Sequence, residues 1–219
     1  MDQFIYANLM MADPILTIKT GLRFFHFIGL ALGLGAATML DIMLVRFFIR
    51  KTISRDSWEI FHFLTMVVNL GLIVLWLTGL GFIVYYAMFD PVNLINDKMW
   101  AKLAIVWLLS ANGILIHAII LPRIKMQIGR SLFTGAGQLR RSAFLTAGAV
   151  SATSWYFPVA LGTFTQLNFS VPAMTILATY SMVLILAIAA IHAVIALIDP
   201  SETRDALPRI GRPAVNFNA

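Results

Sequence analysis

The stretch AMTILATYSMVLILAIAAIHAVIALI, residues 173–198, holds no Asp, Glu, Lys, Arg, Gly or Pro. A helix needs roughly 20 consecutive apolar residues to cross a hydrocarbon core, and this run exceeds that length. Working back from it, four more runs of the same kind emerge. They cover about Leu22 to Phe48, Ile60 to Phe89, Leu103 to Leu121 and Ala143 to Phe164. Turn chemistry separates them: Asp90-Pro91, Pro122-Arg123, Gly135-Ala136-Gly137 and, after the last, Asp199-Pro200. The expected fold is all-α, a transmembrane bundle of about five helices. No alternating strand pattern supports an outer-membrane barrel.

Composition agrees with this reading. Of 219 residues, 60% are hydrophobic and 12% charged, whereas a soluble domain carries about a quarter charged residues. Cysteine is absent, which excludes disulfides, thiolate metal sites, iron–sulfur clusters and thiol catalysis. The net charge of +6 would suit nucleic acid, but its placement argues for topology. Arg46, Arg50, Lys51, Arg55, Arg123, Lys125, Arg130, Arg140, Arg141, Arg204, Arg209 and Arg212 fall on one side. Only Lys19, Arg23, Lys98 and Lys102 fall on the other. The positive-inside rule then puts the N-terminus outside and the C-terminus in the cytoplasm of a bacterial inner membrane.

Residues 1–20 mix apolar side chains with Asp2, Asp13 and Pro14 and read as an interfacial segment. With acids, a proline and no basic start, they do not resemble a cleavable signal, so the first span is expected to remain in the mature protein. Residues 21–199 form the membrane domain and 200–219 a polar cytoplasmic tail. Nucleophile elbow, P-loop and aromatic-basic surfaces are missing, so hydrolase and nucleic-acid roles have no support. The 11 methionines form no repeated MxxM pattern that would suggest a copper relay.

Polar groups inside a membrane are costly and mark candidate sites. With a rise of about 1.5 Å per residue, Asp41, His117 and His192 lie at one depth, about 9 Å cytoplasmic of the span midpoints. Asn69 is slightly nearer the centre, His62 nearer the cytoplasmic surface, and His26 near the outer end beside Arg23. Two histidines at matched depth on different helices are what a bis-histidine b-type haem requires, with His117 and His192 as axial ligands of the iron. Gly113, one turn before His117, would admit a flat macrocycle. Asp41 then serves a second shell or a proton relay, and Asn69 and Asn112 donate or accept hydrogen bonds.

Plainer readings stand beside these. His117 and His192 would hydrogen-bond across helices to Asn112, Ser110 or Asp41. Asp41 would pair with Arg46 or a charged histidine. His62 and His26 would sit at interfaces, and Lys102 would snorkel to the outer surface. The small-residue stripes Gly29, Gly33, Ala37 and Gly71, Gly79, Gly81 either make room for a cofactor or let helices approach closely.

Several stretches carry a resemblance. They are Phe25-His26-Phe27-Ile28-Gly29, Leu77-Thr78-Gly79-Leu80-Gly81, Trp100-Ala101-Lys102-Leu103 and Asn112-Gly113-Ile114-Leu115-Ile116-His117. Over the first three helices, perhaps 100 residues, the chain resembles the CopD-like copper-resistance membrane proteins, the membrane protoporphyrinogen oxidase family and related haem-binding membrane proteins. The resemblance implies a bundle able to hold b-type haem or a porphyrin, with His26, His62, His117 and His192 as ligands. It also singles out His26 and Lys102, which match the oxidase family's early histidine and span-opening lysine. Helices four and five do not follow that family's pattern. The expected function is therefore haem-dependent electron transfer or tetrapyrrole redox chemistry, alongside a redox partner. The alternatives are a non-catalytic subunit of a larger membrane complex, and a transporter using Asp41, His62, His117 and His192.

Overall fold

The computed structural model describes residues 14–50, 54–126 and 138–198. Five helices in it are long and apolar enough to cross a membrane, and no strand occurs among the described residues. They are α1 (Pro14–Arg50), α2 (Arg55–Phe89), α3 (Asp97–Met126), α4 (Gln138–Thr163) and α5 (Ala173–Ile198). They run alternately up and down, and the protein is a multi-pass membrane protein. One end of the bundle carries the start of α2 and is called the Ser54 end. The other, where α3 begins, is called the Asp97 end.

The helix starts are fixed locally. Ser54 caps α2 by accepting from the Ser57 amide at 3.2 Å, with Asp56 in the first turn. Asn96 caps α3 by accepting from the Lys98 amide at 3.2 Å. Asp97 reaches across and accepts from the Ala173 amide at 3.0 Å, serving the first turn of α5. Lys98 is 4% exposed. Its ammonium donates to the Phe164 carbonyl at 2.7 Å and to Asn168 Oδ1 at 2.8 Å, clasping the α4–α5 connection. Within the spans, hydroxyls return to their own helix: Thr38 to Leu34, Thr78 to Val74 and Ser110 to Val106. A solvent without hydrogen-bonding groups demands this.

Two expected boundaries differ. The described part of the 1–20 segment, from Pro14 onward, is the first two turns of α1 rather than a separate surface piece; residues 1–13 and the 200–219 tail lie outside the described residues. The third helix does not end at Pro122. Its regular part, Asp97–Leu115, passes into a π-turn at Ile116–Ile120, closed by the Leu121 amide on the Ile116 carbonyl, and resumes as Leu121–Met126. Proline lacks an amide hydrogen and its ring crowds the carbonyl four residues back. A wider turn just before Pro122 absorbs both problems, so the helix bends its ladder rather than stopping.

The glycine stripes prove to be contacts at Gly29, Gly33, Gly71 and Gly81, while Gly79 faces open space. A Cβ at Gly71 would collide with the Gly33 backbone nitrogen and lie 2.8 Å from the Gly29 carbonyl oxygen. So α1 and α2 cross at van der Waals distance of their backbones, as small-residue interfaces allow. On the other side of Gly33 sits the Trp155 indole of α4. Apolar side chains then fill three levels. Phe47, Phe61, Ile120, Ile124 and Ala147 lie toward the Ser54 end, and Ala37, Leu75, Leu109 and Trp155 lie in the middle. Ala101, Ile105, Leu161, Ile176 and Tyr180 lie toward the Asp97 end, where Tyr180 shares a 2.8 Å hydrogen bond with Ser154.

Candidate functional site

Two polar centres interrupt this packing, and the Trp155 level lies between them. The first is toward the Asp97 end. His26 Nδ1 lies 2.7 Å from Thr78 Oγ1. The Thr78 hydroxyl has one hydrogen, and it goes to the Val74 carbonyl at 2.7 Å. The hydroxyl also lies 3.2 Å from the Leu75 carbonyl; with its hydrogen on these carbonyls, Thr78 accepts from His26 in the tautomer that carries the hydrogen on Nδ1 and a lone pair on Nε2. Phe82 meets the ring edge-on at 5.8 Å and holds its plane. Lys102 of α3 is near enough for its charge to act on His26, and Lys98 acts on Lys102 in turn. The Lys102 ammonium lies 3.7 Å from where a Cβ on Gly162 would stand, so the glycine leaves it space on the α4 side. It makes no hydrogen bond or ion pair with a described residue. With its hydrogen on Nδ1 the imidazole can take a metal or proton at Nε2, and the Lys102 ammonium, without a partner among the described residues, can take an acidic group.

The second centre is a cavity of about 80 Å³ toward the Ser54 end. Asp41 of α1, Asn69 and Thr65 of α2, Asn112 and His117 of α3, and Ser151 of α4 are its polar lining. The π-turn carries His117 into it. The Asn69 amide nitrogen is 2.6 Å from His117 Nε2, and Asn112 Nδ2 donates to the Ala147 carbonyl at 3.0 Å. Thus, of the groups placed near one depth, Asp41, His117 and the slightly more central Asn69 line one cavity, joined by Asn112. Asp41 forms neither an Arg46 pair nor any other hydrogen bond or ion pair with a described residue.

His192 is not part of it. Phe144, Ala147, Gly148 and Ser151 face the His117 cavity, whereas Ser142 and Thr146 approach His192, each at 3.5 Å. At 3.6 residues per turn those two sets lie on opposite sides of α4. The helix stands between the two imidazoles, so His117 and His192 do not face one another as an axial pair would. Depth was matched but azimuth was not. The cavity, at about 80 Å³, is also smaller than the ~150 Å³ that accommodates a benzene ring. His62 lies outside both centres, exposed and packed against the Trp58 ring at 6.0 Å, as an interfacial histidine would be. Among the described residues no three His, Asp or Glu side chains cluster as a metal site.

Thr78, Thr65 and Ser151 were not singled out from sequence. Thr78 stands within one of the stretches that carry the resemblance, but a lone threonine in a span more often bonds its own helix. Only its position across from His26 shows otherwise.

No family model, curated protein or solved structure matches this chain.

Proposed function

We propose that the chain is an inner-membrane protein that binds a tetrapyrrole at the Asp97 end, on the outer side of the membrane, and takes part in electron transfer or tetrapyrrole redox chemistry. The observation that carries this reading is the His26–Thr78–Val74 hydrogen-bond chain. In the tautomer with its hydrogen on Nδ1, this chain presents an imidazole whose Nε2 can ligate iron or accept a proton. Lys102 supplies the matching cation for a propionate carboxylate, and no described carboxylate pairs with it. Thr78 fixes the ring's tautomer and Phe82 its plane. The resemblance of the first three helices to haem- and porphyrin-handling membrane proteins points to the same two residues. A bound b-type haem would supply one-electron exchange. His117 and His192 have no part in this reading.

The test is a dithionite-reduced minus oxidised visible spectrum of protein expressed with added haem and purified gently in detergent. The wild type should show a sharp α-band, and His26→Ala should lose it. Lys102→Met should weaken haem affinity about tenfold, the value of one charge-assisted hydrogen bond. Thr78→Val should lower it by about 10- to 100-fold. His117→Ala and His192→Ala should leave the band in place. A flat wild-type spectrum, or a band that survives His26→Ala, overturns the proposal.

A further inference from the structure

The second cavity is independent of that reading, and its contents ask for a different ligand. At about 10–15 Å³ per probe sphere, its volume holds about five waters and nothing as large as an aromatic ring. Its polar groups are unequally satisfied. The Asn112 amide nitrogen is spent on Ala147, and its Oδ1 takes no hydrogen bond from a described residue. The Thr65 hydroxyl donates to the carbonyls of Phe61 and His62, leaving its lone pairs. His117 is oriented through Nε2 by Asn69, while its Nδ1 is buried with no partner. Asp41 has no partner among the described residues. A carboxylate kept in an apolar bundle without a cation is costly, and so is an orphaned ring nitrogen. Small, mobile donors and acceptors relieve both, which is what water provides.

The charges that face this cavity can be named element by element. Asp41 comes from α1 and His117 from α3. Neither α2 nor α4 adds a titratable side chain to the lining, and α5 adds none. No Lys or Arg is among the described residues that line the cavity with Asp41. Calcium takes six to eight oxygen ligands and structural zinc four protein ligands, whereas this lining offers one carboxyl and one imidazole, and no cluster of three such groups stands among the described residues. The species that suits one carboxyl, one oriented imidazole and a few waters is the proton.

We infer that Asp41 and His117 form a proton-binding site within the membrane domain. One proton from water adds to an Asp41 carboxylate oxygen, forming an O–H bond, and returns to water by the reverse step. No electron moves. The bound state is a neutral acid able to donate to water or to Asn112 Oδ1. In the unbound state the carboxylate accepts through water from the His117 ring. Asn69 acts as a positioning residue by fixing the imidazole.

The experiment is a pH titration of the full-length protein in lipid, followed by infrared difference spectroscopy. As pH falls, a protonated-carboxyl C=O band should grow and shift in D2O. Asp41→Asn, nearly isosteric, should lack the band while eluting normally on size exclusion. Asn69→Leu and His117→Gln should keep it but move its midpoint by at least one pH unit, a tenfold change in proton affinity. Should Asp41→Asn fail to fold, the shift in His117→Gln against wild type decides the matter alone. Three results would overturn the site: an Asp41→Asn spectrum identical to wild type, an unmoved midpoint in both other variants, or loss of the band on adding sodium or ammonium at constant pH. The last would mark a cation site instead.

Discussion

Gly71→Val is expected to abolish recovery of folded protein. A side chain at position 71 would meet backbone, the Gly33 nitrogen and the Gly29 carbonyl, rather than the yielding end of a side chain. Overpacking a core costs about 1–3 kcal/mol when neighbouring side chains can move. Here α1 and α2 must separate along their whole crossing, so the loss should exceed that range. Separation would also pull His26 away from Thr78, since these belong to the same two helices. Gly79→Val is the control: it lies on the same helix, and nothing stands within 4 Å of its notional Cβ. Fluorescence-detected size exclusion after stepwise heating distinguishes them. Equal melting of the two variants would mean that the close crossing is not what holds the pair.

Trp155→Ala should cause the second-largest loss, about 3–5 kcal/mol, the range for deleting a large buried aromatic side chain. The indole is 3% exposed and packs with Ala37, Leu75 and Leu109 while covering Gly33. In a membrane, lipid is as apolar as the core, so the cost arises from lost contacts and the void rather than from exposure to water. Trp107 makes the comparison direct. It is 65% exposed toward lipid, and Trp107→Ala should change the melting temperature little. Because Trp155 separates the two polar centres, its removal should also let D2O exchange reach the His26 side and the Asp41 side together. Exchange that stays unlinked in a variant of reduced stability would show that other residues divide them.

Apolar run length, a purely local property, predicts all five spans, and the run 173–198 matches α5 to the residue. The depth of each polar group follows from rise per residue, which places Asp41, His117 and His192 at one level with Asn69 slightly nearer the centre. Pro122 was read as a stop because proline usually ends a helix. A π-turn just before it carries the chain on, and it is this turn that aims His117.

What sequence could not supply was azimuth. In a soluble helix the buried stripe is apolar and the exposed face polar, so facing can be read from periodicity. Here the lipid-facing residues, Leu197 at 81% exposure among them, are as apolar as the core, and the pattern is blank. That blank face is why His192 seemed a partner for His117 until α4 was seen to stand between them. It is also why Thr78 gave no sign of holding His26. Local composition determined the number, length and depth of the helices; tertiary packing alone decided which sides meet, because the membrane removes the contrast that would otherwise record it.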